Sequence, residues 1–143
     1  MAQVRGSAEE ALNAFLLWLL TFLFSLRVAG QAIQRWAPQS WLPPFDAFQG
    51  SNLPYPVLLG SQIVILCVMA FCNLRRPRGG RVLFWLGVVY MAGSLLRIAV
   101  GLIVPSAPAW FTAWIPAAFH VVLAGYVLAL AIGRGKKPAG TWY

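Results

Sequence analysis

The sequence predicts an all-α integral membrane protein, a four-helix bundle, on three observations. Its 143 residues are 60% hydrophobic and only 10% charged, with a mean hydropathy of +0.73, beyond the composition of an ordinary soluble domain. It contains four long apolar stretches, each close to the roughly 20 residues that cross about 30 Å of hydrocarbon at about 1.5 Å per residue. None of them alternates as a barrel strand does. Helices are then the spanning solution, because in lipid each segment has to satisfy its own backbone polar groups.

The first helix is expected at about residues 11–30 and reads ALNAFLLWLLTFLFSLRVAG. Its leader, MAQVRGSAEE, sets Glu9 and Glu10 beside one arginine, and Arg27 interrupts the place of a cleavage site. The segment therefore reads as a retained anchor, not a removable signal. Glu9 and Glu10 fall at its expected first turn, where carboxylates favour the helix dipole.

The connection over 34–54, QRWAPQSWLPPFDAFQGSNLP, is long for a compact bundle. Trp36, Trp41, Phe45 and Phe48 give it apolar surface to bury, and its prolines reduce the entropy lost on ordering. It reads as a structured cap with a short interfacial helix at 45–49.

The second helix is expected at 55–73, the third at 82–104 and the fourth at 113–133, all within a single domain spanning 1–143. The 75–81 loop, RRPRGGR, carries four arginines, and the 134–143 tail carries Arg134, Lys136 and Lys137. By the positive-inside rule this loop and both termini are cytoplasmic, so the aromatic loop and the uncharged 105–112 connection face outward. Trp36, Trp41, Trp110 and Trp114 then fall near the outer boundary, and Trp85 and Trp142 near the inner one.

The same topology accounts for the net charge of +8, since seven of the eleven basic residues lie in that loop and tail. Topology and anionic membrane lipid explain them, and nucleic-acid binding is not expected. On the last helix Ala117, Gly125, Ala129 and Gly133 share one face, a pattern for close helix packing inside the bundle or, secondarily, for a homo-oligomer.

Four polar residues interrupt the apolar stretches at matching depth: Arg27, Gln62, Arg97 and His120. Arginine at mid-depth costs about 2.5–3.5 kcal/mol on insertion scales, so such residues face a bundle interior or a watery cavity. Gln31 and Gln34 share the Arg27 face, and Ser94 precedes Arg97 by one turn. Arg27, three residues from the end of its expected helix, is near enough to snorkel to headgroups. Arg97 is deeper. The only carboxylate on that side is Asp46, the in-chain candidate for a counter-charge. Arg27, Gln31, Asp46, Gln62, Ser94, Arg97 and His120 form the expected ligand-binding set.

Other chemistries find no residues. One histidine cannot supply bis-histidine haem, and Cys67 and Cys72 lie too far from His120 for zinc, so no metal site is expected. These cysteines and Trp18 are expected to be packing residues. No nucleophile elbow, phosphate loop or dinucleotide fingerprint is present, and the chain is not expected to be an enzyme on its own.

The motifs LRVAGQ at the end of the first helix, LPPF and LPYP in the outer loop, LLGSQ entering the second helix and the turn RRPRGGR resemble those of the DoxX-like and MauE-like four-helix membrane families. That resemblance implies a bacterial inner-membrane protein linked to quinone or periplasmic redox processes, often as partner of another subunit. Arg27 and Gln62 are the positions it carries over. Those families typically have an acidic residue where Gln62 stands, so proton-linked chemistry is not carried over with them.

Two functions fit these residues. One is a site in the outer half of the bundle for a quinone or lipid headgroup. The alternative is a non-catalytic structural or assembly subunit of a larger membrane complex, its arginines pairing with a partner's acidic residues.

Overall fold

A computed structural model of the chain describes residues 2–50, 53–77 and 79–133, so the basic 134–143 tail lies outside the described residues. Among the described residues the regular structure is all helix: α1 (Ala2–Trp36), α2 (Phe45–Gln49), α3 (Tyr55–Arg75), α4 (Arg81–Ile103), α5 (Ala109–Thr112) and α6 (Trp114–Ile132). Four of these, α1, α3, α4 and α6, are long and apolar enough to cross a membrane.

Helix α1 is longer than the 11–30 expected from hydropathy. Its last turns carry Gln31, Gln34 and Arg35, whose polarity ends the apolar run without ending the helix. They stay helical because Gln31 and Gln34 are buried against other elements. At the other end, Glu9 and Glu10 lie more than one turn inside α1, which has no acidic residue in its first turn, so the dipole account of them does not hold.

The remaining spans begin and end where backbone chemistry dictates. Pro54 and Pro56 open α3, where missing N–H groups cost nothing. Arg76 ends it in the left-handed conformation at φ 46°, its N–H donating to the Cys72 carbonyl, and Pro77 prevents continuation. Pro116 sits in the first turn of α6, again where no N–H is needed.

Helix α6 packs against both α4 and α1, while α3 leans on α1. The core is Leu17, Phe24 and Val28 of α1, Met69 of α3, and Tyr126, Ala129 and Leu130 of α6. Small residues bring α4 and α6 together: a Cβ on Gly87 would lie 2.8 Å from the Leu128 side chain. Ala117 and Ala129 are buried within this bundle, as the small-residue face of the last helix predicts.

Two expected packing residues do not pack. Trp18 is 45% exposed and Cys67 is exposed on α3; both turn toward the side a membrane would occupy, while Cys72 lies against the core.

The two short helices close one end of the bundle. Helix α2 sits against α1 and α6, and α5 against α4. Each seat depends on a glycine. A Cβ on Gly50 would meet Pro116 Cγ at 2.7 Å, and one on Gly101 would run into the backbone carbonyl of Phe111.

Candidate functional site

The Arg27 side chain is 7% exposed and does not snorkel; its Nη2 donates to the Phe48 carbonyl of α2 at 3.1 Å. The reason is the length of α1: Arg27 lies nine residues, about 13 Å along the axis, from Trp36 instead of three from a helix end. Its guanidinium carbon stands 5.8 Å from the centre of the Phe119 ring on α6.

Arg97 has the matching arrangement on α4. It is 4% exposed, donates to the Trp110 carbonyl of α5 from Nε at 3.0 Å and from Nη2 at 2.6 Å, and stacks 4.0 Å from the Trp110 ring centre. Each arginine therefore binds a carbonyl of a short helix at the closed end. Such carbonyls carry partial negative charge, and a cation there is favourable.

That arrangement corrects the expectation for Asp46. The carboxylate is exposed on α2 and faces neither arginine's bonds. Two backbone carbonyls do the work assigned to a counter-charge, because a guanidinium needs oriented acceptors as much as it needs an anion.

Gln31 and Gln62 meet across α1 and α3. The Gln62 Nε2 donates to Gln31 Oε1 at 3.2 Å, and the two residues are 0% and 3% exposed. One bond cannot satisfy two amides. Gln31 Nε2 and Gln62 Oε1 are both buried without a partner, as is Arg27 Nε one turn before Gln31. Exchanging O and N in both amides merely reverses the bond and leaves the same needs, one donor and one acceptor. An unmet buried polar group costs about 1–3 kcal/mol, so three on neighbouring residues mark this as the place where hydrogen-bonding capacity is left over. Tyr55 adds a fourth such atom, its hydroxyl, at the start of α3, with its ring edge-on to Trp36 and Phe45.

His120 is joined to Tyr90 instead of to the glutamines. The Tyr90 hydroxyl and His120 Nδ1 are 2.7 Å apart across α4 and α6. Ser94 is buried, its hydroxyl donating to the Tyr90 carbonyl one turn back. The expected set thus divides: Gln31 and Gln62 meet one turn beyond Arg27, Arg97 and His120 are tied to Trp110 and Tyr90, Ser94 is bonded to its own helix, and Asp46 is exposed apart from the others.

Sequence reasoning missed two groups. Gln34 organises the loop before α2, donating to the Pro43 carbonyl at 2.8 Å while its Oε1 accepts from the Gln39 N–H. Farther along the bundle, Asn73 Nδ2 donates to Thr21 Oγ1 at 2.9 Å, and the Tyr126 hydroxyl lies 2.8 Å from Asn73 Oδ1 and 2.9 Å from the Met69 carbonyl. Thr21 in turn donates to the Leu17 carbonyl. Every side-chain polar atom in this network has a partner, the single Tyr126 proton lying between two acceptors. The available signal was the single Asn at the end of an otherwise apolar stretch.

Among the described residues no group of three metal-ligating side chains occurs. No family model, curated protein or solved structure matches the chain.

Proposed function

We propose that the chain is a multi-pass protein of the bacterial inner membrane whose Arg27–Gln31–Gln62 cluster binds the oxygen-bearing head of a lipophilic small molecule, a quinone or a lipid. In this reading the basic 75–81 loop and both termini are cytoplasmic, and α2 and α5 close the outward end. The observation that carries it is the set of buried, unpartnered atoms: donors on Arg27 Nε and Gln31 Nε2, an acceptor on Gln62 Oε1. A ligand oxygen accepts from the two donors and, when it is a hydroxyl, donates to Gln62. The apolar remainder lies among side chains such as Phe119 and Val28.

The assembly-subunit alternative loses its main support here. Arg97 donates twice to the Trp110 carbonyl and Arg27 Nη2 to the Phe48 carbonyl, so only Arg27 Nε is left for a group from outside the chain. The resemblance to DoxX-like and MauE-like families supports the ligand reading, since Arg27 and Gln62 are the positions it carries over. No reaction is assigned to the cluster.

The test is the ligand content of protein purified in mild detergent, extracted with organic solvent and analysed by mass spectrometry. Wild type should carry about one bound quinone or lipid per chain more than the double variant Gln31→Leu, Gln62→Leu, and the difference should be one molecular species. The extracted molecule identifies which source supplies the oxygen. Equal retention by the double variant overturns the proposal.

A further inference from the structure

A second candidate site lies at the end of the bundle away from α2 and α5. A cleft of about 430 Å³ opens there between the start of α1, the end of α3 and the end of α6. Glu9, Glu10 and Arg76 line it together with the apolar side chains of Leu12, Leu16 and Leu130. Among the described residues neither carboxylate has a hydrogen-bond or ion-pair partner, and both are exposed. Glu9 and Glu10 also lack the helix-terminal role their sequence position suggested, since α1 begins several residues earlier.

The depth of the cleft is informative. The apolar spans run from Gly6 in α1, to Arg75 in α3 and to Ile132 in α6, so the lining residues bracket the edge of the apolar layer. Headgroups occupy that level in a membrane. Among the described residues the lining combines two anions, one cation and an apolar wall, and a ligand complementary to all three is a zwitterion with a hydrocarbon tail. A volume of this size falls within the range of small-molecule sites.

We propose that this cleft holds a phospholipid bearing a primary amine. Arg76 takes the phosphate through its planar fork of donors. The ammonium group has three N–H donors to share between Glu9 and Glu10, and the first part of an acyl chain lies along Leu12 and Leu16. A quaternary choline headgroup keeps the charge but has no N–H to donate. A glycerol headgroup offers the phosphate but no cation, and leaves two carboxylates facing an anion.

The experiment is native mass spectrometry of the full chain released from bilayers with equal amounts of phosphatidylethanolamine, phosphatidylcholine and phosphatidylglycerol. Wild type should retain the ethanolamine lipid about tenfold over the choline lipid, the size expected of charge-assisted hydrogen bonds. Glu9→Gln with Glu10→Gln should abolish that preference, and Arg76→Gln should lower retention of all three lipids. Helix content by circular dichroism, unchanged in each variant, shows that the fold survives. Equal retention of ethanolamine and choline lipids by wild type, or an undiminished preference in the glutamine variant, overturns the proposal. Since the cleft and the Arg27 cluster share no residue, either can fail without the other.

Discussion

Two buried polar clusters lie at different heights in this bundle, and they differ in how completely their hydrogen bonds are met. In one, Asn73 donates to Thr21, Thr21 to the Leu17 carbonyl, and the single Tyr126 hydroxyl proton faces Asn73 Oδ1 and the Met69 carbonyl, so that every side-chain polar atom joining α1, α3 and α6 has a partner. In the other, about 9 Å farther along α1 from Thr21 to Arg27, Arg27, Gln31 and Gln62 form one bond between the glutamines and leave three polar atoms unmet. Both clusters are buried and both bridge α1 to α3. Completeness separates them. A satisfied network holds helices in register and needs nothing more, whereas an open one in the same apolar surroundings is where the proposed ligand would supply the missing partners.

That contrast predicts opposite responses to removing polar groups. The largest effect belongs to the closed network: Asn73→Leu removes its centre and should lower stability by about 1–3 kcal/mol, read as an earlier unfolding transition in detergent. Tyr126→Phe takes away one hydroxyl and should cost about 0.6–1.7 kcal/mol, the span measured for hydrogen bonds between helices in membranes. If either variant unfolds with wild type, the network is not what registers α3.

In the open cluster the sign changes. Replacing Gln31 and Gln62 together by leucine removes both partners of one bond and the unmet atoms with them. Delipidated double variant should therefore unfold within about 0.5 kcal/mol of wild type, or later. A loss as large as that of Asn73→Leu would make the two clusters equivalent and erase the comparison. The smallest effect is expected from Asp46→Asn, a change of an exposed carboxylate that should move stability by less than about 0.5 kcal/mol and leave ligand content unchanged.

Much of this was legible in the residues, and the misses have physical causes. Length and apolarity located four spans, and the cost of a buried arginine at Arg97 forecast a side chain turned inward. Hydropathy stopped the first helix at Gly30 because it reads Gln31 and Gln34 as solvated. In the fold they are sealed by α3 and by the loop that Gln34 itself organises. Asp46 stands out in the sequence as the in-chain candidate counter-charge because a sequence displays carboxylates and hides backbone carbonyls. The carbonyls of Phe48 and Trp110 become acceptors only once α2 and α5 form. Thr21, Asn73 and Tyr126 went unread for another reason. One weakly polar residue on each of three helices leaves no periodic signal in any of them.

The central claim is that the open cluster belongs to a ligand, and its most direct measurement is a high-resolution experimental structure of protein purified from its own membranes. The account predicts density for a lipophilic molecule with one oxygen about 3 Å from both Arg27 Nε and Gln31 Nε2 and within reach of Gln62 Oε1. Ordered water alone bridging those three atoms, or glutamine side chains turned so that each is satisfied by the protein, would contradict it.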